Sequence, residues 1–247
     1  MGKNDGHQNE YEIIEVLNKK KIDKLPNHFK KWIQKLFQVD KGTLYVNKLN
    51  NEQKADIVLK VGEVNKYISI KSGNSNSFHS EQINTFIPFL REIGISESTL
   101  KTIVFFHYGD NTLDGSGPIR FTSNDLRKTH SKWFKLASDE LSQDNIMKHV
   151  IERFITKGRY KANFTINGIY HGTKDDGFFL PTKLIYQILL RKKHVWKNGT
   201  INFKMLSYQP GSRNLWGIPG SEQKRNNSEI KWRSFKKDAL NEIKFSK

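Results

Sequence analysis

Asp56, Ser69 and Lys71 are the residues of this chain whose types and spacing could do chemistry together. Ser69 and Lys71 lie two apart in a run with strand character, so both project from one face of a sheet. Asp56 opens the preceding apolar run, thirteen residues before Ser69. If the two runs pair as a hairpin, a carboxylate, a hydroxyl and an ammonium converge at one end. A carboxylate there can hold Mg²⁺, and an ammonium can orient water and offset negative charge building on a phosphate. These are the requirements of phosphodiester hydrolysis.

The elements that must position these groups are legible in outline. The two runs are 55–61 (ADIVLKV) and 66–71 (KYISIK), joined by Gly-Glu-Val-Asn. Upstream, Ile13, Ile14 and Leu17 follow Glu10 at the spacing of one helical face, which points Glu10 toward the core. A second amphipathic helix is predicted over 26–37, with Pro26 suited to its first turn and Phe29, Trp32, Ile33, Leu36 and Phe37 as its buried stripe. After the hairpin, 79–93 sets Ile83, Phe86, Ile87 and Leu90 on one helical stripe, and the apolar run 102–106 (TIVFF) reads as a buried strand. Helix, strand, strand, helix, strand describes an α/β fold, a mixed sheet flanked by helices in which the crossover implies a parallel neighbour. A polar helical stretch over about 122–157 then precedes the β-like pieces FTINGIYHG, INFKMLSYQ and EIKWRSF and a helix over 181–193.

At these residues the chain resembles the PD-(D/E)xK nuclease superfamily, in particular type II restriction endonucleases. Asp56 matches the first acid, preceded by Ala55 where the pattern has proline; Lys71 matches the lysine, with Ser69 where the pattern has the second acid. The Ser-Ile-Lys form is similar to a subgroup in which that acid has moved to the following helix. Glu81 is the local candidate, although helix phase sets it nearly opposite the apolar stripe. Gln82 lies nearer the stripe and resembles the helix glutamine that many of these nucleases put beside the lysine. Glu10 resembles the first-helix glutamate that often completes the metal site. The resemblance implies a restriction-endonuclease-like mixed-sheet core over 1–120. It also implies Mg²⁺ on Asp56 and Glu10, with Glu81 as a further candidate ligand and the carbonyl near Ile70 as a donor, and Lys71 orienting the attacking water beside Ser69 and Gln82.

Charge points to the partner. The 247 residues hold 42 Lys+Arg against 25 Asp+Glu, a net charge of +17, and residues 126–247 carry 25 basic and 10 acidic side chains. Such an excess repels itself unless it meets a polyanion, and nucleic acid is favoured over an anionic membrane because no basic amphipathic helix stands out. The stretch 207–233 combines Arg213, Asn214, Lys224, Arg225, Asn226, Asn227, Lys231 and Arg233 with Tyr208, Trp216 and Trp232. Cations suit phosphates and guanine edges, and amides suit adenine, so 121–247 reads as a DNA-recognition region packed on the core, with the two tryptophans serving equally as core anchors. Double-stranded DNA cut by one site per chain favours a homodimer.

Several classes are excluded. The absence of cysteine removes disulfide frameworks and thiolate-held metals. The eight histidines show no zinc spacing, and no GxxxxGK[ST] or GxGxxG fingerprint offers a nucleotide cofactor site. Gly168-Ile-Tyr170 opens like the GIY-YIG nucleases, but no Tyr-Ile-Gly follows. No apolar signal core or membrane-length run is present, so a soluble cytoplasmic protein is expected, with no membrane partner. The expectation is thus a Mg²⁺-dependent type II restriction endonuclease. A nuclease toxin or repair nuclease of the same fold is the alternative, and beside it a DNA- or RNA-binding protein whose Asp56/Lys71 pair is only a salt bridge.

Overall fold

The computed structural model describes residues 5–50, 54–73, 76–117, 121–158, 164–196, 200–211 and 222–245. The first half runs α1 (Asp5–Leu17), β1 (Lys20–Lys21), α2 (Asn27–Phe37), β2 (Thr43–Lys48), β3 (Ile57–Val61), β4 (Val64–Lys71), β5 (Ser77–Gln82), α3 (Ile83–Glu92) and α4 (Glu97–Tyr108). There follow α5 (Ser123–Leu141), α6 (Asp144–Ile151), β6 (Gly168–Gly172), β7 (Gly177–Pro181), α7 (Thr182–Arg191), β8 (Asn202–Phe203), β9 (Leu206–Pro210), α8 (Glu222–Arg225), β10 (Asn227–Lys231) and α9 (Phe235–Phe245). None of the described helices is long and apolar enough to cross a membrane.

The class is mixed α/β, and the chain divides into two compact units that interleave in sequence. One comprises 1–75, 155–188 and 236–247; the other 76–154 and 189–235. The step in charge near residue 120 is therefore not the boundary. Counted over the units, the first carries 23 Lys+Arg and 13 Asp+Glu, and the second 19 and 12, so both are basic.

The first unit is built on a six-stranded sheet in the order β1-β2-β3-β4-β6-β7. The central hairpin forms as its alternation predicts: Ile57 faces Ile68, and Val61 faces Val64 across a two-residue turn. Gly62 takes φ +56° there, the conformation a tight turn needs and side chains disfavour. Ile57, Leu59, Ile68 and Ile70 turn one face of the sheet toward Ile13 and Leu17 of α1 and Phe29 and Ile33 of α2, and all eight are buried in one core. The sheet is mixed because β4 and β6 run parallel, Lys71 aligned with His171. The expected parallel neighbour exists, but 168–172 supplies it and not 102–106. Gly168 begins β6 where a side chain has no room, since a Cβ would stand 2.4 Å from the Phe179 ring and 2.6 Å from the Leu180 carbonyl.

Asn167 fastens this crossover. Its side-chain oxygen accepts the Tyr67 N–H at 2.8 Å, its own N–H donates to the Tyr67 carbonyl at 2.7 Å, and its carbonyl accepts the Thr182 N–H at 3.0 Å. Asn167→Ala strands the Tyr67 N–H and is expected to cost about 1–3 kcal/mol, read as a lower chemical-denaturation midpoint.

In the second unit β5-β10-β9-β8 form an antiparallel sheet. Two expectations change here. The run 102–106 lies inside α4: the Ser96 hydroxyl accepts the Thr99 N–H at 3.4 Å to cap the start, and Gly109 at φ +64° closes the end. Leu100, Ile103 and Phe106 then recur at helical spacing on the buried side. The helix expected from 79 begins only at Ile83, because 77–82 pairs with β10 as a strand, Gln82 aligned with Asn227. The stretch 122–157 is likewise divided between α5, which kinks at His130, and α6.

Candidate active site

Four strand ends meet in the first unit. The carboxyl ends of β2 and β4 flank the entrance of β3, and β6 brings its own carboxyl end beside β4. Asp56 sits just before β3, its N–H donating to the Ile68 carbonyl at 2.9 Å. One carboxylate oxygen, Oδ2, accepts both the Ser69 hydroxyl at 3.0 Å and the Ile70 N–H at 2.5 Å. The hairpin register alone produces this: with Ile57 opposite Ile68, the preceding Asp56 falls opposite Ser69. Asp56 and Ser69 are thus in contact, and the ammonium of Lys71 is close enough to act on the Asp56 charge.

Glu10 arrives from α1. The Asn9 amide donates to the Gly172 carbonyl at 3.1 Å, docking the helix at the end of β6. Glu10 meets Lys48, the last residue of β2, at 3.1 Å and His7 at 3.3 Å. Burial pushes the Asp56 carboxyl up from its ordinary value; Lys71 and the Ile70 N–H pull it down, and the negative charge of Glu10 adds to the rise. The predicted residues Asp56, Ser69, Lys71 and Glu10 therefore belong to one electrostatic neighbourhood.

Two neighbours escaped the sequence reading. Lys54 lies two residues before Asp56, and burial, with Lys71 beside it, pushes its ammonium down to about 7 despite Asp56. Its signal was the Lys-Ala-Asp spacing, which returns both side chains to one face. His171 is aligned with Lys71 on β6 and buried, its imidazole pKa lowered by burial and by Lys236. Its strand was recognisable, but its pairing with β4 was not.

Glu81 and Gln82 have other duties, on β5 of the second unit. The Glu81 carboxylate is fully buried, 2.8 Å from the Arg153 guanidinium and 3.4 Å from the His79 ring. Burial pushes its carboxyl up, but His79 and Arg153 outweigh that and hold it below the ordinary range. Gln82 donates to the Asn227 side chain across the strand pair. The resemblance put both on the following helix, Glu81 as the displaced acid and Gln82 beside the lysine; strand pairing with β10 delays that helix to Ile83 and commits both side chains locally.

The proposed DNA-reading residues divide. Arg213, Asn214 and Trp216 lie outside the described residues. Arg225 donates to the Gly115 carbonyl and stands 3.5 Å from Asp110; Asn226 accepts the Tyr108 hydroxyl at 3.0 Å; Lys231 pairs with Glu229 at 3.1 Å. Tyr208 and Trp232 are core, each with its side chain turned inward, so neither is a stacking platform. Lys224 and Arg233 are exposed.

Among the described residues no group of three or more His, Asp or Glu is arranged to hold a metal. The first-unit cluster offers two carboxylates, with Ser69 where a third would stand. That set suits Mg²⁺, which is typically held through one or two carboxylates and keeps several waters. The raised Asp56 carboxyl, with Glu10 acting against its ionisation, is the electrostatic condition a cation relieves. No family model, curated protein or solved structure matches the chain.

Proposed function

We propose that this protein is a Mg²⁺-dependent endonuclease of restriction type, with a restriction-endonuclease-like core in its first unit. The observation that carries the reading is the contact of Ser69 and the Ile70 N–H with Asp56, beside the Lys71 ammonium, at one end of a mixed sheet. Asp56 and Glu10, with the Ile70 carbonyl, would hold Mg²⁺, which when bound supplies Lewis acidity and a more acidic water. Ser69 and the Ile70 N–H fix the Asp56 rotamer by occupying Oδ2 and leaving Oδ1 outside those bonds. Lys71 orients the attacking water and offsets charge on the phosphate as one P–O bond forms in line with the ester bond that breaks. Lys54 adds a second amine to the same neighbourhood.

Both basic units favour a polyanionic substrate, and two antiparallel strands favour a homodimer. Long phage DNA incubated with the protein and Mg²⁺ is expected to give discrete fragments. A smear would indicate the toxin or repair alternative, and intact but retarded DNA a binder without catalysis. Binding itself should be salt-sensitive: if about six phosphates are neutralised per chain, log affinity falls with log salt at a slope of roughly −5. A slope near zero would remove the phosphate-binding role of the basic surface.

A further inference from the structure

Away from the Asp56 cluster, the first unit has a groove of about 510 Å³ against the outer strand β7, a volume typical of small-molecule sites. Trp32, Phe178, Phe179, Leu184 and Ile243 form its apolar walls, and the Trp32 and Phe179 rings stack with centroids 4.4 Å apart. Two ring nitrogens contributed by residues of the groove, Trp32 Nε1 and His28 Nε2, are buried without a hydrogen-bond partner among the described residues. Neither nitrogen has surface open to the groove, so a ligand there is recognised by the walls and the rim.

The rim adds a charge requirement. Lys31 and Lys35 also line the groove, both exposed, and neither forms an ion pair among the described residues. They stand four apart on α2, where like charges repel, and an anion between them relieves that repulsion.

We propose that this groove binds an amphipathic carboxylate, its apolar body between the aromatic walls and the α7 and α9 side chains. The carboxylate is held by Lys31 and Lys35 at the rim. The inference is independent of the nuclease reading, since none of these residues belongs to the Asp56 cluster.

The full-length chain, labelled with ¹⁵N at its indole nitrogens, is titrated with decanoate, with 2-naphthoate and with uncharged decanol, and the Trp32 N–H signal is assigned from Trp32→Phe. Saturable one-to-one binding of a carboxylate that moves the Trp32 signal is expected, with decanol weaker by about tenfold or more. Tighter binding of decanoate selects an aliphatic body and tighter binding of 2-naphthoate a planar one. Trp32→Phe shortens one aromatic wall and should weaken binding by about threefold or more. The double variant Lys31→Gln/Lys35→Gln alters only exposed side chains, so the fold persists, and it should weaken binding comparably. Absence of saturable carboxylate binding, an unmoved Trp32 signal, or unchanged affinity in the double lysine variant would overturn the proposal.

Discussion

Replacing Lys71 by alanine is expected to slow DNA cleavage by roughly 10²–10³-fold, the usual loss when one preorganised group that stabilises transition-state charge is removed. Single-turnover cleavage at saturating protein is the measurement, because it separates the chemical step from binding. Asp56→Asn is expected to lose at least as much, since it keeps the side chain's shape while removing the charge that Mg²⁺ would meet. The two substitutions together should lose far less than the product of the single losses, as groups acting as a unit do. DNA retention should persist in all three variants, because the basic excess is spread over both units, 10 net positive charges in the first and 7 in the second. Retention without cleavage would identify Asp56 and Lys71 with the chemistry. Wild-type rates in Lys71→Ala would remove them from it.

The largest expected effect on stability lies in the other unit. Arg153→Ala leaves the buried Glu81 carboxylate with only the His79 ring beside it and is expected to cost about 3–5 kcal/mol, the range for breaking a buried ion pair. The guanidinium also covers the Phe89 ring at 4.4 Å, so packing is lost with the charge. The acid dependence has a definite sign. Glu81 is held below its ordinary value of 4.5 in the folded protein, so its contribution is complete above that pH and is lost as pH falls through the lowered value. Glu81→Gln should therefore be less stable than wild type at pH 7, with the gap narrowing as the solution is acidified through that range. Equal stability of Arg153→Ala and wild type in urea would contradict this account of the pair.

What the sequence made legible follows the range of the forces involved. The hairpin was readable because alternation over 55–61 and 66–71, with Gly62 between, is local, and the contact between Asp56 and Ser69 follows from that register. Glu10 was readable because Ile13 and Leu17 mark the buried side of α1. The run 102–106 was not, since five apolar residues satisfy a buried strand and a buried helix alike, although Ser96 and Gly109 stood at cap positions. Residues 77–82 were misread because their partner β10 lies some 150 residues downstream and Glu81 is buried through Arg153, a pairing no local pattern announces. His171 escaped for the same reason: parallel pairing with β4 spans residues 76–154 of the second unit in sequence. The step in charge at the midpoint was real in sequence but does not divide the fold, since the last helix returns its cations to the first unit.

The cluster around Asp56 is proposed to hydrolyse DNA with a divalent cation. Incubating supercoiled plasmid with the protein in Mg²⁺ and in EDTA tests it most directly. Conversion to linear or fragmented DNA in Mg²⁺ alone is the predicted result; plasmid that stays supercoiled in both, at protein excess and with binding demonstrated, would contradict it.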